Sequence, residues 1–360
     1  MKFLFDTDWY RWSMNAKFIA ALLFVAPTLV WAQAQKEKPT VTFEELYDEP
    51  YSINKLFIGF QPLYGEVFAT NVNAGYGLEA SYYHKDKFDL KAHFRKAYSS
   101  EFFDFDRQSA NKNLVQGSYA SGKPQVFNYY EIGGTYHFKD FDEDSKTKMV
   151  LFKKSLKGDR WAATVPLHAE VPCKVRKIYG ARLGAIIWNS TTDISRALSK
   201  QHLTNSNLVT PSGKTLSPTY QDINNQPQTL SVFGNIHATN IYVGGSMTWI
   251  RNVAVNFDKY DDGVDDGMMT LFFDILFAPS LTLDPVIFNT EKYSTSALKT
   301  NSFGFRAGID GKFNRTLSWS YGGEFGYRPS LVGQGFFAMF KISFPLYGTN
   351  IDNKVESFGK

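Results

Sequence analysis

Cysteine is almost absent from this chain. Its 360 residues include one, Cys173, and a lone thiol can neither close an intrachain disulfide nor build a cysteine-rich zinc site. Proline is low at 14, and the formal net charge is only +4, from 39 basic and 35 acidic residues. Long disorder and collagen-like repeats are thereby excluded, and so mild a charge implies no nucleic-acid partner. Long apolar runs are also missing. Only one stretch raises the question of a membrane helix, and it falls short of the roughly 20 residues such a helix needs. What the chain does have is aromatic side chains: 32 Phe, 20 Tyr and 7 Trp, or 16% of the residues. That share argues against an ordinary soluble protein.

The apolar stretch runs from Phe18 to Trp31 (FIAALLFVAPTLVW), preceded by Lys17 and followed by the small-residue site Val30-Trp31-Ala32 before Gln33. A basic start, a short apolar core and a small-residue cleavage site describe a secretory signal peptide. Residues 1–32 are therefore expected to be a leader, with 1–13 an upstream extension if Met14 is the true start. The mature chain is expected to begin at Gln33 or Gln35 and to leave the cytoplasm.

Beyond the leader, segments of about ten residues alternate apolar and polar, the period of a half-buried strand. In Lys87 to Tyr98, the residues Phe88, Leu90, Ala92 and Phe94 fall on one face and Lys87, Asp89, Lys91, His93 and Arg95 on the other. The pattern recurs in Ala74 to Tyr83, Asn128 to Lys139, Arg160 to Val171, Phe303 to Phe313, Leu317 to Arg328 and Phe336 to Leu346. A secreted β-sandwich also alternates. These strands are longer than the usual soluble strand of about five or six residues. One face is rich in aromatics and the other in charges of both signs, which suits a membrane barrel. The expected fold is thus all-β: a transmembrane antiparallel up-and-down β-barrel of about 14 strands, with 12 as the alternative.

The strands are read near 54–64, 73–84, 86–98, 112–120, 125–139, 159–171, 174–189, 229–237, 239–250, 268–277, 281–290, 300–312, 316–328 and 335–346. On this reading short turns alternate with longer loops, as in barrels whose termini share one side of the membrane. The turns include Pro172-Cys173, Ala238-Thr239 and Ala278-Pro279-Ser280, while 112–120 and 281–290 alternate least. The barrel is placed at 54–346, with a periplasmic N-terminal segment at 33–53 and a periplasmic tail at 347–360.

The leader ending WAQAQ, the Tyr-, Phe- and Gly-rich strand NAGYGLEASYY and the terminal FFAMFKISFPLYG together resemble the outer-membrane β-barrel proteins of Bacteroidota-type bacteria. The likeness spans the mature chain in pattern and composition and points to no single functional family. It implies a bacterial outer-membrane location, contact with outer-membrane lipid, and a role among porins, transporters or accessory subunits of membrane machines. Fatty-acid transporter barrels are similar in length, but their N-terminal Asn-Pro-Ala hatch motif is absent, so their function does not carry over.

Candidate sites follow from the strand faces. Lys87, Asp89, Lys91, His93, Arg95, Glu131, His137, Lys139, Arg160, His168, Glu170, Arg182, Asp274, Arg306, Asp310, Glu324 and Lys341 are all expected to face the lumen. They either line a water-filled pore, with a weak preference for anions, or pair across a narrow interior and close it. The pairing case is favoured, because inward charges nearly alternate in sign. His93, His137 and His168 could approach one another as a metal or proton site, although a place in the charged network is the more common outcome. Asp258, Asp261, Asp262, Asp265 and Asp266, with Gly263 and Gly267, form an acidic stretch suited to calcium. Its spacing is not that of an EF-hand, and a solvated acidic loop is the favoured reading. The aromatics of Glu101 to Asp106 could dock a partner or extend a strand. His84 and Asp86 are read as a hairpin turn.

No catalytic motif is found, so the chain is expected not to be an enzyme. The leading expectation is an accessory or structural barrel with protein partners in the outer membrane. A porin or small-solute channel is the alternative, and an envelope-lipid-modifying enzyme has little support. No cofactor is expected beyond possible calcium in the acidic loop.

Overall fold

A computed structural model describes residues 41–48, 56–69, 71–84, 87–98, 106, 108–110, 124–151, 167–221, 224–312 and 319–348. The expected leader, Arg160, most of Glu101 to Asp106, the segment 112–120 and the tail beyond 348 lie outside them.

Ten antiparallel strands form a closed ring: β1 Leu56–Phe68, β2 Asn71–His84, β3 Phe88–Ala97, β4 Asn128–Leu151, β5 Leu167–Asp193, β6 Phe233–Phe257, β7 Gly263–Leu283, β8 Phe303–Lys312, β9 Ser320–Tyr327 and β10 Phe336–Gly348. Each pairs with the next in sequence, and β10 returns to β1 to close the ring. A further short strand, Phe43–Asp48, lies outside the ring beside β6, and its Asp48 carboxylate accepts the Lys174 backbone N–H at 2.8 Å. The expected periplasmic segment 33–53 thus contributes a strand.

The all-β barrel stands; the count of 14 does not, and neither does 12. Two pairs of expected strands are single elements. β5 runs unbroken through Pro172-Cys173, and β6 through Ala238-Thr239. Pro172 is tolerated because β5 here pairs only with β4 among the ring strands; its pairing with β6 begins at Arg176. The stretch 281–290 is no ring strand. Its first residues finish β7, and Val286–Phe288 pairs with Glu291–Tyr293 in a small hairpin. The expected strand 112–120 lies outside the described residues, among which β3 pairs directly with β4 from Phe88↔Tyr136 to Lys96↔Asn128. The expected loop 140–158 is also corrected in part: β4 continues as strand to Leu151.

The two ends of the ring differ. At the end where the chain enters and leaves, connections are short, except that β4–β5 and β6–β7 extend past the ring as long hairpins. At the other end, residues 194–221, 224–232 and 284–302 fold into a cap. Its helix α1, Ile194–Lys200, starts at Asp193, whose side chain accepts the Arg196 N–H at 2.9 Å. Gln201 ties two cap segments together, donating to Lys299 O at 3.0 Å and accepting from Lys299 N at 2.8 Å. Gln334 bridges β5 and the 328–335 connection through Thr192 and Asp193. At the cap surface Lys214 donates to Glu291 at 2.9 Å. That hydrogen bond holds the lysine above its ordinary range and the carboxyl below its own. Apolar side chains of the cap (Ile194, Leu198, Leu208, Leu216, Leu230, Val286, Leu298) pack on inward-facing Phe68, Trp188, Ile236 and Phe337 of the ring. This buried cluster is a conventional hydrophobic core and closes one end of the barrel.

Outside the ring the polarity is reversed. Every one of the ten strands exposes large apolar side chains, among them Phe60, Leu78, Leu90, Ile132, Leu183, Val243, Phe273, Phe305, Phe325 and Phe340. The band ends at the long hairpins. No register shift interrupts β5 in its pairing with β6, and Ala169, Val171, Cys173 and Val175 have the same strand parity as exposed Leu183 and Ile187. Yet these four are buried. Their side of the hairpin meets β6–β7: Thr147 hydrogen-bonds Asp265, and the Met149 sulfur lies against Gly263. The opposite side of this hairpin exposes Lys146, Lys148, His168, Glu170 and Lys174.

Candidate functional site

The strand phase that points apolar residues outward points charge inward, and the ring brings those charges into contact. Arg306 of β8 is the hub. Its Nη2 donates to Glu131 Oε1 at 2.5 Å, its Nη1 to Glu131 Oε2 at 3.0 Å and to Tyr129 Oη at 3.1 Å. Its Nε donates to Asp274 Oδ2 at 2.8 Å. Arg182 grips the same Asp274 with Nε at 2.9 Å and Nη2 at 3.2 Å. Arg95 donates to Glu324 at 2.9 Å, and its guanidinium lies 4.7 Å from the Tyr129 ring centroid. Three arginines and three carboxylates from six strands thus form one buried layer across the barrel. Buried charge is tolerable only when paired and hydrogen-bonded in this way.

Toward the cap, Arg328 holds Glu66 through both terminal nitrogens at 3.2 and 2.9 Å, with its guanidinium 4.2 Å from the Phe337 ring centroid. On the side of the chain ends, Lys341 binds Glu79 and Asp310, each at 3.1 Å. Glu79 also accepts from Ser320 at 2.6 Å and Gln61 at 3.1 Å. His137 and Asp89 make a further pair at 3.0 Å.

The expected lumen residues therefore divide. Asp89, Lys91, His93, Arg95, Glu131, His137, Arg182, Asp274, Arg306, Asp310, Glu324 and Lys341 do line the interior. Lys87 does not: it sits exposed in the β2–β3 turn. Lys139 is exposed, because a bulge between His137 and Lys139 ends the inward phase; its ammonium stacks 4.5 Å over the Phe141 ring. His168 and Glu170 share the inward phase of β5 but stand beyond the ring, exposed. The expected approach of His168 to His93 and His137 is thereby overturned. Arg160 lies outside the described residues.

The acidic stretch is spread out instead of gathered. Asp265 and Asp266 belong to β7, and Asp258, Asp261 and Asp262 to its short connection from β6. Asp265 is already taken by Arg251 at 3.1 Å and by Thr147. Among the described residues no group of three or more His, Cys, Asp or Glu side chains is placed to hold a metal ion.

The sequence reading missed Glu66. Alternation in β1 breaks at Pro62-Leu63, where the pairing with β2 shifts register between Gln61 and Tyr64. Carrying the phase across that break puts Tyr64, Glu66 and Phe68 inside, where they are buried. Tyr64, Tyr129, Trp188 and Tyr242 were invisible for another reason. An inward aromatic in an aromatic-rich chain looks like an outward one.

Between the Arg306 layer and the open end lies a cup of 1060 Å³, its mouth included. Glu79, Lys91, His93, Asp310, Lys312 and Lys341 line it together with Phe57, Tyr83, Ile178, Ile250 and Met268. A narrow pocket shares Asp89, Lys91, His93 and Asp310 with it and reaches Arg306 and Arg182.

No protein-family model matches the chain, and no curated protein matches it in sequence.

Proposed function

We propose that this chain is a membrane-spanning barrel of the bacterial outer membrane with a closed lumen, acting as an accessory or structural component of an outer-membrane complex. One observation carries the reading: large apolar side chains are exposed on all ten ring strands, while the charges of the Arg306 layer across the interior are paired. A soluble protein rarely exposes a contiguous apolar patch beyond a few hundred Å², whereas lipid requires such a girdle. The leader, and the resemblance to Bacteroidota-type barrels, support the same placement. The loop lengths support an orientation with the capped end outside and both chain ends in the periplasm.

The closed interior favours a structural part over a channel. The cap core plugs one end, and the Arg306 layer spans the middle. In this reading the β4–β5 and β6–β7 hairpins reach into the periplasm, where their polar side is suited to water or to a protein neighbour.

The test is fractionation followed by planar-bilayer recording and native purification. The expected result is a heat-modifiable protein in the outer-membrane fraction, near-background conductance, and a defined protein that copurifies in mild detergent. Recovery in the soluble periplasm would overturn the membrane placement. A stable single-channel current, selective for chloride over potassium, would put the porin reading first.

A further inference from the structure

The cup holds charges that the pairing scheme leaves over. Its carboxylates are engaged: Glu79 and Asp310 share Lys341, and Asp89 faces His137. Lys91 and Lys312 are not. Among the described residues neither ammonium has a carboxylate within ion-pair distance, although both line the cavity. Lys312 instead stands 3.7 Å from the centroid of the Phe57 ring, a contact that leaves its N–H donors free. His93 Nδ1 is buried without a hydrogen-bond partner, 3.9 Å from Glu79. Beside these free donors part of the wall is apolar, with Phe57, Tyr83, Ile178, Ile250 and Met268 among Ser and Thr side chains. Two ammonium groups with free N–H donors on one wall suit a ligand with an anionic head.

We propose that the cup binds a small amphiphile with an anionic head and a single apolar chain, entering from the end where the chain termini lie. The head accepts hydrogen bonds from Lys91 and Lys312. The chain lies against Phe57, Ile178, Ile250 and Met268. Ammonium groups on flexible stems act as point charges and do not demand the planar, bidentate partner that arginine prefers. A carboxylate head is therefore accepted without a dedicated fork. The ligand does not cross the barrel, because the Arg306 layer and the cap lie beyond the cup. The proposal needs the barrel and its cup, not the membrane. Loss of binding and loss of outer-membrane location are separate results.

The experiment uses the full-length mature protein in lipid nanodiscs, with empty nanodiscs subtracted. Dansyl-undecanoate is the fluorescent probe; decanoate and decyltrimethylammonium compete. The expected result is saturable binding at one site per protein, displaced by decanoate and not by the cationic analogue. Replacing both lysines, Lys91→Gln with Lys312→Gln, should weaken binding roughly tenfold or more, the scale of lost charge-assisted hydrogen bonds. Lys214→Gln in the cap should leave it unchanged. Ile178→Trp, which fills the apolar wall, should also abolish binding. Heat-modifiable mobility reports folding for each variant. Non-saturable partitioning, equal displacement by both competitors, or wild-type binding by a folded double-lysine variant would each overturn the proposal.

Discussion

Arg306 on β8 closes on Glu131 on β4, 175 residues away in the chain, through two parallel N–H···O contacts of 2.5 and 3.0 Å. The pair bridges strands that are not neighbours in the ring, so it acts as a strut across the barrel and not as a cross-strand contact. Asp274 and Glu324 join it, so that three carboxylates share the Arg306 guanidinium.

Removing that cation should be costly. In Arg306→Ala, Asp274 keeps Arg182 and Glu324 keeps Arg95. Glu131 keeps only the Tyr129 hydroxyl, at 2.7 Å. An uncompensated buried carboxylate costs about 3–5 kcal/mol. The measurement is the urea midpoint for loss of the compact electrophoretic form. The double replacement Arg306→Met with Glu131→Met should be milder than Arg306→Ala, since it leaves no orphan charge. A double variant less stable than the single one would show that the pair does not work as a unit.

The faces of the strands were legible where alternation was uninterrupted. Phe88 and Leu90 lie outside, and Asp89, His93 and Arg95 inside, as period two demands. Strand number was not legible, because β5 and β6 run past the length expected of one crossing. A turn-forming pair such as Pro172-Cys173 looks the same in a turn and in the outer half of a long hairpin. Of the interior, the charges announced themselves and their pairing did not. The pairing of Arg306 with Glu131 depends on barrel curvature, which no local pattern encodes. Bulges hid the rest: one shift in β1 concealed Glu66, and one in β4 turned Lys139 out of the lumen.

The cap hairpin carries backbone strain. Asn289 and Thr290 have φ of 47° and 69°, the two consecutive left-handed residues of a tight hairpin turn between Val286–Phe288 and Glu291–Tyr293. Asparagine tolerates this region; a β-branched threonine does not. Thr290→Gly is expected to stabilise the fold by about 1 kcal/mol, the lower end of the cost of such an outlier. The same urea series measures it. A destabilised Thr290→Gly would mean that the Thr290 hydroxyl, which donates to Asn289 O at 2.5 Å, offsets the strain.

Chelation should leave the protein unchanged. Asp265 is committed to Arg251 and Thr147, and the other four aspartates are distributed along a strand and its turn. A calcium site needs six to eight converging oxygens. Thermal unfolding in EDTA and in millimolar calcium should therefore superimpose. A calcium-dependent rise in Tm that Asp262→Asn removes would establish a site in the β6–β7 connection.

The outer surface should divide sharply into two zones. Phe305 is exposed in the apolar band, opposite Ile275 and Tyr327 on the neighbouring strands and with its ring centroid 6.3 Å from that of Phe273. Val150 is also exposed, but on the polar side of the β4–β5 hairpin, beside Lys148 and His168 and beyond the ring. If the band lies in lipid, a charge at Phe305 must be taken out of water, at a cost of about 2–4 kcal/mol near the midplane. The same charge at Val150 stays hydrated, so its effect should fall within about 0.5 kcal/mol, as for ordinary surface changes. Phe305→Lys and Val150→Lys replace an exposed apolar residue with the same cation, so lysine's own strand propensity largely cancels in the comparison. The readout is the yield of heat-modifiable barrel in lipid vesicles and its urea midpoint. A large loss for Phe305→Lys with near-wild-type Val150→Lys locates the edge of the bilayer between the ring and the hairpins. Equal tolerance of both would mean that the apolar band meets water, or a protein surface, instead of lipid.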